Sequence, residues 1–244
     1  MNQTLLTREA EFPRPPANES AVRWQLPLKR NASAVDWAHG ALFKAIVSLR
    51  LPPGEKLSRK HLAKWLGVSL TPLRDALLRL ELQGLVETRA QSETRVAPID
   101  AADLHALQFE RVAMETEIVR RLARCKGASM QHAQAALTAQ KAALAADQHA
   151  PKLDLAFHES LFAAAGLQRA FERFELRYAQ FERCLNVAPP SPQALAQACD
   201  FHQQILDRIE AGDAKGAAFA MRAHLSGDTA AIGRAFKSHP EYFT

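Results

Sequence analysis

The feature that most constrains this chain is a pair of short helical segments joined by a tight turn. Residues 61–80 read HLAKWLGVSLTPLRDALLRL, with Gly67 at the end of the first segment and Pro72 in the first turn of the second, where its missing N–H is tolerated. An apolar stripe recurs at spacings of three and four, at Leu73, Ala76, Leu77 and Leu80. This arrangement predicts a helix-turn-helix, whose second helix presents its N-terminal end to a binding partner.

The flanking segments complete a small domain around this motif. Ser33 and Asp36 have the spacing of a capping box, and apolar residues then recur at helical spacing until the segment LPPGEKL forces a turn. The helix after Gly67 is predicted over residues 71–83. Two alternating runs, GLVETR and TRVAPI, suit short strands on either side of a turn. Three helices and a hairpin predict a winged helix-turn-helix domain over residues 31–98.

The remainder of the chain is predicted to be helical. Apolar residues recur at spacings of three and four in six blocks, residues 101–125, 128–147, 151–164, 167–186, 192–211 and 213–237. We therefore expect a six- to seven-helix antiparallel bundle over residues 101–237, which makes the fold class mainly α. Residues 1–30 contain four prolines and no sustained period, so they are interpreted as a flexible N-terminal arm.

The composition excludes several classes of protein. A hydrophobic fraction of 48% with 23% charged residues is typical of a globular protein, and no apolar run approaches the roughly 18 to 20 residues of a membrane span. The first residues carry acidic side chains and lack the apolar core of a secretory signal. Three cysteines without a CxxC pair indicate buried reduced thiols rather than a disulfide framework. We therefore expect a cytoplasmic protein without a membrane partner.

The distribution of charge favours a polyanionic partner for the first domain. Residues 35–98 hold 10 basic and 6 acidic side chains, whereas residues 99–244 hold 16 and 17. At the start of the second helix of the motif, Ser69 and Thr71 carry hydroxyls that can bond phosphates or base edges, and Arg74 can reach guanine with two hydrogen bonds. A helix-turn-helix used only for protein contacts is the alternative.

Four residues of the second domain have the chemistry of metal ligands. Asp154 and His158 are four residues apart, so they project from one face of one helix, and His202 and His224 each lie on a different predicted helix. One carboxylate and three imidazoles form a suitable ligand set for Zn²⁺, Ni²⁺ or Mn²⁺. The alternative is that these are ordinary polar side chains with hydrogen-bond partners in the core.

A longer segment of the first domain carries a family resemblance. Residues 49–87 read LRLPPGEKLSRKHLAKWLGVSLTPLRDALLRLELQGLVE and resemble the DNA-binding domain of the GntR family of bacterial transcription regulators, with a likeness that covers residues 35–98. The resemblance implies binding to double-stranded DNA. Leu70 stands where the family has an arginine that commonly contacts a base or phosphate. The wing, AQSETRV, lacks the usual glycines, so Arg89 and Arg95 are expected to contact DNA through their charge.

The second domain carries a resemblance of its own. The segments LDLAFHESLFAAAG and FHQQILDRIEAGDAKGAAFAMRAHL resemble the effector-binding FCD domain of the FadR subfamily of GntR regulators. The likeness covers roughly residues 101–235 and implies a divalent metal ion at the four positions named above. Leu167 replaces the family's usual asparagine, a change that is expected to affect the local turn more than the metal.

Arg111 and Glu115 form a further candidate pair. They lie four residues apart on the first helix of the second domain, where the family has a similar R-x-x-x-E pair. The functional interpretation is that Arg111 faces a cavity and binds the carboxylate of an acidic effector. The alternative is a structural or surface ion pair between the two side chains.

Together these features predict a homodimeric, ligand-responsive transcription regulator and not an enzyme. Its expected partners are a near-palindromic double-stranded DNA operator and a small organic acid effector, which a divalent ion, Zn²⁺, Ni²⁺ or Mn²⁺, helps to bind. One alternative is a metalloenzyme in the helical bundle, opposed by the DNA-binding domain and by the lack of an obvious general base beside the ligands. A regulator with a purely structural metal is another. The effector, the operator, the metal, the role of the arm and the choice between repressor and activator are left open.

Overall fold

The computed structural model describes residues 33–89, 93–125, 127–146 and 151–244, so the predicted arm and the tip of the wing lie outside the described residues. Within them the chain forms nine α-helices, one two-stranded sheet and a short 3-10 helix at Pro240–Tyr242. This mainly α architecture confirms the predicted fold class. None of the described helices is long and apolar enough to span a membrane.

The first domain consists of three helices and a hairpin. They are α1 (Ala34–Val47), α2 (Arg59–Leu66), α3 (Leu70–Leu82), β1 (Val86–Arg89) and β2 (Glu93–Val96). The capping box predicted before α1 is confirmed, since the Ser33 hydroxyl accepts a bond from the Asp36 N–H and the Asp36 carboxylate accepts one from the Ser33 N–H. Gly67 ends α2 with a φ of 66°, a left-handed conformation that favours glycine. This conformation allows the tight turn into α3.

The core of the first domain lies where these helices and the hairpin meet. The inward stripe predicted on α3 is confirmed by the burial of Leu73, Ala76, Leu77 and Leu80. It packs with the fully buried Leu42 and Ile46 of α1. The antiparallel strands place Val86 opposite Val96, and both valines join the same core. This core fixes the inner face of α3 and leaves its outer face exposed.

The second domain is a bundle of six helices. They are α4 (Ala101–Arg124), α5 (Gln131–Ala145), α6 (Pro151–Ala164), α7 (Gln168–Val187), α8 (Pro192–Glu210) and α9 (Ala214–Ser238). Their boundaries agree closely with the predicted blocks, and α4 and α9 share the most extensive packing of the described helices. Burial of the cysteines is confirmed for Cys184 and Cys199 but is wrong for Cys125, which is exposed because it lies just beyond the end of α4.

Helix α7 connects the bundle to the first domain. Ala179 packs into the core of the first domain, and Gln180 and Asn186 donate hydrogen bonds to backbone carbonyls near the ends of α3 and α1, at 2.7 and 2.9 Å. Between them the fully buried Arg183 donates to the carbonyl of Ala97 at 2.5 Å. One face of α7 is therefore bound to the first domain.

The segment after α9 forms backbone hydrogen bonds with the residues that connect the two domains. The Ile99 N–H donates to the Tyr242 carbonyl at 2.8 Å, and the Thr244 N–H donates to the Ile99 carbonyl at 3.0 Å. The Ala101 N–H adds a bond to the Thr244 carbonyl at 3.2 Å. Residues 97–101 are thus positioned both by α7 and by the residues that follow α9.

Candidate functional site

The first candidate site is the N-terminal end of α3. Ser69 precedes this helix and its side chain makes no capping bond, while Thr71 is exposed beside it. The Arg74 side chain is 76% exposed and approaches only the adjacent Asp75, at 3.8 Å, within the described part of the chain. Leu70 is 61% exposed. The helix end therefore presents two hydroxyls, a guanidinium and an exposed apolar side chain, none of them packed into the core.

Of the two arginines predicted to contact DNA from the wing, the structure describes the side chain of Arg95 but not that of Arg89. Arg95 is 21% exposed and folds onto the acidic side chains of the hairpin, with Nη2 2.5 Å from Glu93 and Nε 3.8 Å from Glu87. The backbone of Arg89 ends β1, and its side chain lies outside what the structure describes. Contacts of both arginines with DNA stay predictions. For Arg95, such a contact would compete with its pairing to Glu93.

The second candidate site brings together the four predicted metal ligands. Asp154 and His158 lie one turn apart on α6, while His202 and His224 come from α8 and α9. Nε2 of His224 lies 3.1 Å from Nε2 of His158 and 3.2 Å from Nε2 of His202. The Asp154 carboxylate lies 3.6 Å from Nε2 of His158 and 3.6 Å from Nε2 of His202. All four candidate ligand atoms lie within 4.8 Å of one another, so three helices build one cluster.

Two side chains outside the cluster orient its imidazoles. Glu115 on α4 is hydrogen-bonded to Nδ1 of His158, and Oε1 of Gln140 on α5 is 2.8 Å from Nδ1 of His202. Carboxylate and amide oxygens only accept, so each Nδ1 carries a proton and donates it, and the Nε2 atom of each ring is directed toward the cluster. Burial lowers the pKa of His202 to about 3, so this ring is neutral at physiological pH. Gln140 also donates to Asp154 at 3.3 Å.

The donor set fits a divalent cation. The Nε2 atoms of His158 and His202 both face Nε2 of His224, which has at most one proton to share between them. A cation at the centre satisfies all three nitrogens at once. Nitrogens bound to one ion at about 2.1 Å lie about 3.0 Å apart at right angles and about 3.4 Å apart in a tetrahedron. The observed separations of 3.1 and 3.2 Å fall between these values.

A cavity of about 340 Å³ adjoins the cluster. Asp154 and His224 lie in its wall, so the cluster is open to the cavity on this side. Tyr178 and Asp228 add polar groups to the wall. The apolar part of the wall includes Leu144, Leu185, Leu195 and Phe201. The volume and the mixture of apolar surface with a few polar groups are typical of a small-molecule site.

Arg111 lies behind this wall. Its side chain is 3% exposed, its Nε donates to Glu115 at 2.7 Å, and its Nη1 donates to Asp228 at 2.6 Å. The guanidinium also lies 5.8 Å from the ring centres of Phe174 and Phe181. These contacts match the alternative interpretation, a structural ion pair. The predicted contact between Arg111 and an acidic effector stays a prediction. Of the charged side chains in this group, Asp228 lines the cavity and Arg111 does not.

Three contributors to the site were not identified as such from the sequence. Glu115 was recognised only as a partner of Arg111, and the roles of Gln140 and Asp228 were not recognised. Asp228 lies four residues after His224, a spacing that places both on one face of α9 and could have revealed it. Gln140 carries no comparable signal, because its contact with the cluster joins different helices.

An exposed helix end on a winged domain, joined to a bundle with a cluster of metal-ligand type, defines a two-domain DNA-binding regulator. The family model of the bacterial regulatory proteins of the gntR family matches residues 38–96, and that of the FCD domain matches residues 103–227. The chain belongs to the GntR family of bacterial transcription regulators and carries an FCD domain.

Similar proteins agree with this assignment. The chain is 29% identical over 203 residues to an uncharacterized HTH-type transcriptional regulator in an unstable DNA locus of Streptomyces ambofaciens, covering 83% of this chain and 86% of the relative. It is 27% identical over 214 residues to the HTH-type transcriptional repressor RspR of Escherichia coli K12, covering 83% and 90%. The family and these relatives are transcription regulators and not enzymes.

Solved structures share the fold. A GntR transcriptional regulator from Rhodococcus sp. RHA1 superposes with a TM-score of 0.68 at 20% identity, over 83% of this chain and 99% of that one. Escherichia coli McbR/YncC superposes with a TM-score of 0.66 at 19% identity, over 84% and 100%. At these identities the likeness concerns the fold alone.

We predict that Gln140→Ala lowers the affinity for a divalent metal ion about 10- to 100-fold, the usual effect of removing a side chain that orients a metal ligand. The loss arises because the His202 ring is no longer held with Nε2 toward the cluster. Competition with a fluorescent zinc chelator measures the affinity. Gln134→Ala, which removes an exposed glutamine from the same helix, is the matched control. Equal affinities for the two variants would contradict this role of Gln140.

Proposed function

We propose that the protein is a homodimeric transcription regulator whose affinity for operator DNA responds to a small molecule bound beside a divalent metal ion. The observation that carries the proposal is the convergence of three imidazole nitrogens and a carboxylate at the wall of a cavity. This cavity lies in the domain attached to an exposed recognition helix. A ligand site and a DNA-binding element in one chain are the two parts that ligand control of DNA affinity requires.

The four side chains of the cluster would hold Zn²⁺, Ni²⁺ or Mn²⁺. Imidazole nitrogens suit Zn²⁺ and Ni²⁺, and the carboxylate of Asp154 also suits Mn²⁺. An ion that prefers more than four ligands keeps positions for water or for a bound molecule. Its positive charge would bind the acidic group of a ligand. We therefore propose a small organic acid, or a similar anionic metabolite, as the effector.

The position of the cluster favours this function over the two alternatives. Asp154 and His224 are partly exposed and line the cavity, whereas a purely structural metal is enclosed by protein ligands. A metalloenzyme would need a general base beside the ion. The polar side chains that the structure describes next to the imidazoles, Glu115 and Gln140, are already engaged in orienting them.

DNA binding is proposed to use the exposed end of α3. Its backbone N–H groups and the hydroxyls of Ser69 and Thr71 suit phosphates, and Arg74 suits a guanine edge. Two copies of one recognition helix read two related half-sites, so we propose a homodimer on a near-palindromic operator. Leu70 offers no hydrogen bond, so the operator should differ from those of family members with arginine at this position.

We predict that Arg74→Ala weakens binding to the selected operator by about 1–3 kcal/mol and relaxes specificity at one position in each half-site, because a bidentate contact to guanine is lost. Selection from a random DNA library followed by fluorescence anisotropy measures both effects. Arg173→Ala, which removes an exposed arginine from α7 in the second domain, is the control and should bind like the unmodified protein. An equal loss on all DNA sequences would show a phosphate contact in place of base recognition.

We predict a dimer in solution and two protomers on each operator, because one recognition helix reads only one half-site. Analytical ultracentrifugation at micromolar concentration, with and without operator DNA, measures the stoichiometry. A DNA fragment that carries a single half-site provides the comparison and should bind much more weakly. A monomer under both conditions would contradict the proposed homodimer.

We predict about one tightly held divalent ion per chain and loss of this ion in His202→Ala and His224→Ala, because each change removes one nitrogen ligand. Elemental analysis of protein purified without chelators or an immobilised-metal column measures the content. His132→Ala on α5, which removes an exposed histidine, is the control and should retain metal. A metal content near zero that persists after incubation with Zn²⁺, Ni²⁺ and Mn²⁺ would refute the site, and metal retained by both His→Ala variants would show misassigned ligands.

A further inference from the structure

We infer that Asp228 makes the cavity selective for an effector with an ammonium group beside its acidic group, as in an α-amino acid. The inference rests on the proposed function, because it concerns the ligand of the same metal-containing cavity. It departs from the expectation of a purely acidic effector bound by Arg111. Three points support it: Arg111 is already paired with carboxylates, one oxygen of Asp228 has no partner among the described residues, and the charges around the cavity, with the proposed divalent ion, are close to balance.

Arg111 does not offer an unpaired positive charge to a ligand. Two carboxylates share its guanidinium, with Glu115 at Nε and Asp228 at Nη1. The remaining nitrogen, Nη2, is buried and has no hydrogen-bond partner among the described residues. Asp228 lines the cavity and Arg111 does not, so a ligand in the cavity meets the carboxylate first.

Asp228 has an oxygen available for a ligand. Arg111 binds Oδ2, and the described residues provide no hydrogen-bond partner for Oδ1. Burial raises the pKa of Asp228 to about 6, so the carboxylate is charged at pH 7.5. A charged carboxylate only accepts hydrogen bonds. It therefore binds a donor, most strongly a cationic one, and repels a second acidic group.

The spacing along α9 fits an acidic group and an ammonium group that are close together. Asp228 lies one helical turn after His224, and such residues have Cβ atoms about 5–6 Å apart. A ligand whose acidic group faces the metal cluster thus brings a neighbouring ammonium group to Asp228. Tyr178 lines the same cavity without a hydrogen-bond partner among the described residues. Burial raises the pKa of this phenol, so it stays protonated and can donate to the acidic group.

The charges around the cavity favour a ligand without net charge. Three carboxylates, those of Glu115, Asp154 and Asp228, would be balanced by Arg111 and the proposed divalent ion. Additional net charge is costly in a site removed from water, so a dicarboxylate is disfavoured and a zwitterion adds no such cost. Arg234, also in the wall, is exposed and its charge is screened by solvent.

The apolar wall indicates the rest of the ligand. Leucine and phenylalanine side chains from α5, α7 and α8 line the cavity together with the polar groups, and its volume of about 340 Å³ accommodates an aliphatic chain. Burial of such a chain contributes roughly 0.8 kcal/mol for each methylene group. An aliphatic α-amino acid therefore combines the three features of the wall: the metal cluster, Asp228 and the apolar surface.

Three ligands with the same six-carbon chain test the inference. Hexanoate, 2-hydroxyhexanoate and norleucine differ only in the group beside the carboxylate, which is absent, a hydroxyl or an ammonium group. Calorimetry on the full chain, loaded with Zn²⁺ and freed of excess ion, measures their affinities. Norleucine should bind about 10- to 100-fold more tightly than hexanoate, the effect of one hydrogen bond to a charged group, with 2-hydroxyhexanoate between them.

The variant Asp228→Asn should reduce the advantage of norleucine over hexanoate to about threefold or less, since the charge that attracts the ammonium group is gone. Glu210→Gln, which removes an exposed carboxylate at the end of α8, is the matched control and should keep the advantage of the unmodified protein. Retention of the full advantage in Asp228→Asn would show that another group recognises the ammonium.

The order of the three ligand affinities in the unmodified protein can overturn the inference even if the variants fold poorly. Hexanoate binding as tightly as norleucine would overturn the inference, and so would the absence of binding by all three ligands. Zinc content and operator binding, measured on the same samples, test the proposed function separately. A protein that holds zinc and binds DNA but does not rank the ligands in this order keeps the proposed function and loses the inference.

Discussion

A buried chain of charged side chains sets the geometry on which the metal-ligand cluster depends. Asp228 of α9 pairs with Arg111 of α4, and Arg111 pairs in turn with Glu115. Glu115 completes the chain by binding Nδ1 of His158 on α6. Removing one partner of a buried ion pair costs about 3–5 kcal/mol, because the other charge is left without compensation in a medium of low dielectric. Each member is therefore held in place by the next, and three helices are fixed relative to one another around the imidazole of His158.

The cluster is organised by protein contacts before any ion is considered. Gln140 holds His202 from one side, and the ring of Phe157 stacks on it with centroids 3.8 Å apart. His158 is held by the charged chain described above, so two of the three imidazoles have their orientation set by the fold. Preorganised ligands lose little freedom when an ion binds. Because the core around them is apolar, we expect it to form without the ion. The metal would add charge to a site whose shape already exists.

Features that depend on one helix at a time could be predicted from the residues themselves. Features that depend on how helices pack could not, apart from the four-residue cluster, which the family resemblance implied. Caps and apolar periods are local, which is why the helix boundaries agree closely with prediction. Four-residue spacing placed Asp154 and His158 on one face, and the same rule applied to His224 could have identified Asp228. The contact made by Gln140 depends on the packing of α5 against α6 and α8, and no local pattern encodes it. Tertiary packing also explains why an arginine that resembled a ligand-binding residue lies behind the cavity wall.

The connection between the domains depends on two helices that also line the cavity. Arg183 of α7 binds the carbonyl of Ala97, and residues 242–244, which follow α9, pair with residues 99–101. Burial lowers the pKa of Arg183 to about 10, and its Nε has no hydrogen-bond partner among the described residues. The buried charge therefore depends on two oxygen acceptors, the side chain of Gln180 and the carbonyl of Ala97 in the connection. A displacement of α7 would have to keep these bonds or leave a buried guanidinium with unsatisfied hydrogen-bond donors, which is a large cost for a small movement.

A ligand changes DNA affinity only to the extent that it binds two domain arrangements unequally. For the proposed ligand response, the bonds of Arg183 would make intermediate arrangements unfavourable, so we would expect a change between discrete arrangements and not a continuous deformation.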